Sequence, residues 1–201
     1  MLAAIDMLTA LEIMLLPVWA GLVMAPPGAG LGRRLATLPA AVVVTAVVLL
    51  VLAGAAAEGP VGDVLRAQVV ALGFVILVGG LAAMLGRLTH PAAAQILTAL
   101  LGWLIVAGII LVGPLAGLTA DPLREAAVRV AAHASPLLVA ERELGLDWLH
   151  QGLTYRLTPL GDSYSYLIQD AAWWKTFLAH VFVGSGLVVF SLRRSGKLRR
   201  V

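Results

Sequence analysis

Five runs of roughly 20 apolar residues partition this chain, at about Leu2–Met24, Leu38–Ala57, Val64–Leu85, Ala94–Leu115 and Ala172–Leu192. A helix rising about 1.5 Å per residue needs about 20 residues to cross some 30 Å of hydrocarbon, so each run is long enough to be a membrane span. No water is present in hydrocarbon to satisfy backbone polar groups, which restricts such segments to helices or closed barrels. Barrel strands take about 10 residues of alternating polarity, whereas Leu38–Ala57 and Ala67–Leu85 are apolar on every face. The chain is therefore expected to be all-α, a polytopic transmembrane bundle of about five spans forming one membrane domain.

Composition agrees with that reading and removes several kinds of chemistry. The chain is 61% hydrophobic and 12% charged, with a mean hydropathy of +0.97, against about 25% charged in soluble domains. It has no cysteine, which excludes disulfides, thiolate metal sites, iron–sulfur clusters and cysteine nucleophiles. The net charge of +3 comes from bases beside the spans, where insertion rules account for it, and no nucleic-acid partner is expected.

The first run carries Asp6, Glu12 and Pro17, and its first charge is an acid. A secretory signal would begin with a basic region, so this run is expected to be a retained span. A loop follows over Ala25–Thr37, with Pro26, Pro27 and three glycines before Arg33 and Arg34. The second run ends at Glu58-Gly59-Pro60, and the third contains the pair Gly79-Gly80, which lets a neighbouring helix come close.

Charge sets the orientation. Five spans put the loop after the first, the loop after the third and the C-terminal tail on one side. Those segments hold Arg33, Arg34, Arg87, Arg193, Arg194, Lys197, Arg199 and Arg200, with no acid. Excess Lys and Arg stay cytoplasmic, so the N-terminus is expected outside and the tail over 193–201 inside, in a cell membrane.

The polar interval Thr119–Ala172 then falls outside, and is expected to be an extracytoplasmic cap of short amphipathic helices over 119–171. Its acids are Asp121, Glu125, Glu141, Glu143, Asp147, Asp162 and Asp170; its bases are Arg124, Arg129, Arg142 and Arg156. Asp121-Pro122 and Ser135-Pro136 are helix-start signals, and Gly145 is a stop. On the first of these helices Leu123, Ala126, Ala127 and Val130 form an apolar stripe expected to rest on the membrane interface or the span tops. Trp148, Tyr155, Tyr164, Tyr166, Trp173 and Trp174 suit an interfacial belt.

Ionisable groups within spans are expensive and mark candidate sites. Glu12 and His180 fall at nearly equal depth in the first and last spans, and Asp6 and Lys175 one level higher, so the pairs Glu12–His180 and Asp6–Lys175 are expected. Such a pair would conduct or gate protons, or join two spans. His90, His133 and His150 lie at other depths, which disfavours bis-histidine haem. His133 and His150, with Glu141, Glu143 and Asp147, lack metal-ligand spacing. Ser163 and Ser185 have no base beside them, and neither a Walker A lysine nor a dinucleotide fingerprint is present. No catalytic residue, metal or cofactor is expected.

A bundle whose last two spans are separated by a pair of amphipathic helices resembles the membrane subunits of ABC-2-type exporters. The resemblance covers Thr119 to the C-terminus, is architectural, and transfers no motif residue. It implies a permease working with a separate cytoplasmic ATPase, although that family usually has six spans and a cytoplasmic N-terminal coupling helix. The sequence thus leads to a non-catalytic component of a larger membrane assembly, with the bilayer and other membrane subunits as partners. It is either an accessory scaffold or permease-like, the alternative being a proton-handling or redox subunit using Glu12 and His180.

Overall fold

A computed structural model describes residues 2–24, 31–55, 61–116, 121–145 and 172–198. These residues form seven helices and no strand: α1 (Leu2–Met24), α2 (Leu31–Gly54), α3 (Val61–Leu88), α4 (Pro91–Ala116), α5 (Asp121–Ala134), α6 (Pro136–Glu143) and α7 (Trp173–Leu198). Five of them, α1, α2, α3, α4 and α7, are long and apolar enough to cross a membrane. The protein is membrane-embedded.

α3 is the axis of the bundle. It packs against α1, α2, α4, α6 and α7, and Val70, Ala71, Phe74, Val75, Val78 and Ala82 are fully buried along it. The Gly79-Gly80 pair serves two neighbours at once. A Cβ on Gly79 would strike the Leu38 side chain of α2, and one on Gly80 would strike the Gly184 backbone of α7. Gly184 reciprocates, since a Cβ there would lie 2.5 Å from the Ile76 carbonyl oxygen. Two backbones this close leave room for no side chain, and the gain is dispersion contact that lipid cannot supply.

Neighbouring spans alternate in direction. At one end Ile5, Leu49, Ala53 and Val64 form a cluster; at the other Met24, Leu38, Ala82 and Ala83 pack together, and Ser191 donates to the Ala83 carbonyl at 3.2 Å. Arg34, Arg87 and Arg193 therefore share the second end, and Asp6, Asp63 and Glu143 the first.

Helix ends differ from the sequence expectation where a charge or a proline was taken as a boundary. α2 begins at Leu31, so Arg33, Arg34 and Gly32 lie in its first turns rather than in a loop, and Pro39 is accommodated inside. Thr37, just before that proline, donates to the Arg34 carbonyl at 2.8 Å. α7 continues to Leu198, making Arg193, Arg194 and Lys197 helical rather than a loose tail. Arg199 and Arg200 lie outside the described residues. Within α1, Pro17 removes one backbone donor, and near it the Trp103 indole of α4 donates to the Met14 carbonyl at 2.9 Å.

The described part of the polar interval forms the two helices that its punctuation predicts. Ser135 caps α6, its hydroxyl accepting from Leu138 N at 3.4 Å, and Gly145 takes the left-handed φ of +78° that ends it. Their placement is not that of a lid across the span tops. The turn between them reaches Val106 and His180, roughly 15 Å inside the end of α4 and 10 Å inside that of α7 at about 1.5 Å per residue. α5 runs back down α4, and α6 returns along α3 with Val139 against Val70 and Trp173. The pair is a helical hairpin wedged into the bundle from the acidic end.

The stripe Leu123, Ala126, Ala127 and Val130 faces away from the protein. α5, which packs chiefly on α4, is buried along Val128, Ala131 and Ala132. The part of the interval over 146–171, including Trp148, His150, Tyr155, Tyr164 and Tyr166, lies outside the described residues.

Candidate functional site

Polar side chains are buried around this hairpin. Ser135 donates to the Val106 carbonyl of α4 at 2.8 Å, and on the α7 side His180 Nε2 lies 3.0 Å from the Ala134 carbonyl oxygen. The Ala134 carbonyl is an acceptor, so Nε2 carries a proton, and Nδ1 is buried with no partner among the described residues. The ring also packs on Phe74, centroids 5.7 Å apart. Thr176, one turn earlier on the same face, is buried with its hydroxyl unpartnered.

On the other side of α3, Gln68 Nε2 donates to Glu12 Oε2 at 2.9 Å. Glu12 Oε1 and Gln68 Oε1 have no partner among the described residues. The expected Glu12–His180 pair is not formed. α3 stands between α1 and α7, so residues at equal depth are held apart. Asp6–Lys175 is not formed either: Lys175 is exposed, with Nζ 5.6 Å from the Trp174 ring centroid, a cation–π arrangement, and Asp6 is half-buried at the opposite flank.

Two buried polar residues were not legible as such. Gln68 stands in an otherwise apolar run, and its amide carries the same kind of burial penalty that singled out Glu12. Glu141 is 2% exposed, with both carboxyl oxygens unpartnered. It is flanked by Ala140 and Arg142 on a short helix with polar neighbours, so its sequence reads as solvated. Burial, and secondarily the charge of Asp6, push its carboxyl up to about 8. Glu143, two residues on, has a largely buried side chain and pairs with Arg66 at 3.1 Å, while Arg66 also reaches Asp63 at 3.5 Å.

A groove of about 360 Å³ opens between α1 and α2, lined by Leu8, Leu11, Leu15, Leu16, Trp19 and Ala41 with Glu12 and Thr45. Thr45 donates its hydroxyl proton to the Ala41 carbonyl at 3.0 Å. Among the described residues no three of His, Cys, Asp and Glu converge as metal ligands do.

The fold defines a polytopic α-helical membrane protein with an inserted hairpin. No protein-family model matches the chain, and neither the curated proteins nor the solved structures give a significant match.

Proposed function

We propose that this chain is an integral membrane, non-catalytic subunit of a larger assembly, and that it is permease-like, with the hairpin α5–α6 entering from the extracytoplasmic side. The observation that carries the reading is the helix break at Ser135, placed among spans and ringed by buried polar groups. Interrupted helices are the usual way in which transport proteins bring backbone and side-chain polarity to a site inside a bundle. Polar contacts that tie the hairpin to the spans include Ser135 to Val106, Ala134 to His180 and Glu143 to Arg66. Its apolar anchors are mostly small side chains, Val128, Ala132, Val139 and Ala140, buried against the spans.

The orientation follows from the clustering of bases at the end opposite the hairpin, which insertion rules assign to the cytoplasm. The architectural likeness to ABC-2-type exporters extends this to a cytoplasmic ATPase partner. A second reading, an accessory scaffold, is favoured by the wide apolar faces of α2, α4 and α7, on which Phe182 is 82% exposed. The proton-handling or redox reading loses its geometric support, since Glu12 and His180 sit on opposite sides of α3.

Purification in a gentle detergent, with identification of what travels with the chain, tests the proposal. An ATPase or transport subunit in fixed ratio is the expected outcome. A visible chromophore, or a large complex with no transport component, overturns it.

A further inference from the structure

We propose that the groove between α1 and α2 is a binding site for a lipophilic amine: an apolar chain or ring bearing one protonated nitrogen, entering sideways from the bilayer. The volume of about 360 Å³ falls in the range of small-molecule sites, about 300–1,000 Å³. Leu11, Leu15 and Trp19 are each about half exposed, so the opening looks outward from the bundle to where hydrocarbon lies. The walls are apolar apart from two side chains, and both of these offer acceptors. Thr45 gives its hydroxyl proton to Ala41, and the Glu12 carboxyl supplies oxygen acceptors.

Glu12 sits in this wall 8% exposed. Gln68 satisfies one of its oxygens, and the buried Oε1 has no partner among the described residues. Among the described residues no base lines the groove, and Arg66 is held by Glu143 and Asp63. A carboxyl group set in an apolar wall is complementary to an amine, because the two form an ion pair by proton transfer while the rest of the ligand meets apolar surface. Neither a neutral alcohol nor a fatty acid can form such an ion pair with it. Trp19 at the rim provides both an aromatic face and an optical reporter.

The test uses the full chain in phosphatidylcholine nanodiscs, titrated with 12-bromododecylamine, whose bromine quenches nearby tryptophan. Expected is saturable quenching that disappears in Trp19→Phe, with Glu12→Gln weakening the apparent Kd at least tenfold. Ala41→Phe, which fills the groove from the α2 wall and leaves Glu12 intact, should abolish saturation. The bromo-alcohol and the bromo-acid of equal length should quench only in proportion to partitioning. Thermal unfolding in detergent checks that each variant is folded. If Glu12→Gln is not, Ala41→Phe and the head-group series decide. Linear quenching by the amine, equal saturation by all three head groups, or an unaltered Kd in folded Glu12→Gln or Ala41→Phe overturns the site.

Discussion

Gln68 on α3 donates to Glu12 on α1 across 2.9 Å, a bond between two side chains buried in otherwise apolar helices. Removing the donor alone leaves a buried carboxyl with no partner, which costs about 1–3 kcal/mol or more. Gln68→Leu should therefore lower the unfolding temperature in detergent markedly. The double variant Gln68→Leu/Glu12→Leu should recover most of that loss, because both polar groups are gone.

Gly184 meets the Ile76 carbonyl so closely that no Cβ fits. Overpacking of a tight core typically costs about 1–3 kcal/mol. Gly184→Leu should push α7 off α3 and lower thermal stability by at least that much, whereas Gly186→Leu, where nothing lies within 4 Å, should be close to neutral. Parallel thermal melts compare the two.

Glu141 gives the fold a pH dependence. Its carboxyl has a folded value raised from 4.5 to about 8, by burial first and by Asp6 second. In the unfolded chain it ionises near 4.5, while in the folded protein it stays neutral until about 8. The unfolded state therefore binds fewer protons across that window, and stability falls as pH rises through it. Melting temperature should be highest below about pH 4.5 as far as this group is concerned, and should decline toward pH 8. Glu141→Gln should flatten the decline, since an amide does not titrate.

Orientation can be read without background labelling, because the chain has no cysteine. Arg87 and Leu123 are both exposed and lie at opposite ends of the bundle. A membrane-impermeant maleimide applied to intact cells should label Leu123→Cys and should reach Arg87→Cys only after permeabilisation. The reverse pattern would invert the topology.

What the sequence reveals here depends on how a property is encoded. Span number follows from run length, because crossing a bilayer demands a fixed number of apolar residues. Helix punctuation at Ser135-Pro136 and Gly145 is local chemistry and is realised as written. Rotation about each span axis is a different matter. α1 and α4 are apolar on all sides, so periodicity cannot say which face meets a neighbour, and the partners of Glu12 and His180 depend on that rotation. Depth alone suggested that they meet; the intervening α3 separates them. The same gap hid the fate of α5, whose more strongly apolar stripe faces outward while the smaller Val128, Ala131 and Ala132 dock. Amphipathicity points toward protein only where the surroundings are water.

The inserted hairpin is the feature on which the functional reading turns, and disulfide trapping tests it most directly. Val139 of α6 packs against Val70 of α3, whereas Val130 of α5 is exposed. With Val70→Cys/Val139→Cys in native membranes, mild oxidation should form an intramolecular crosslink, and Val70→Cys/Val130→Cys should not. Absence of the first crosslink, or equal formation of both, would contradict a hairpin seated between the spans.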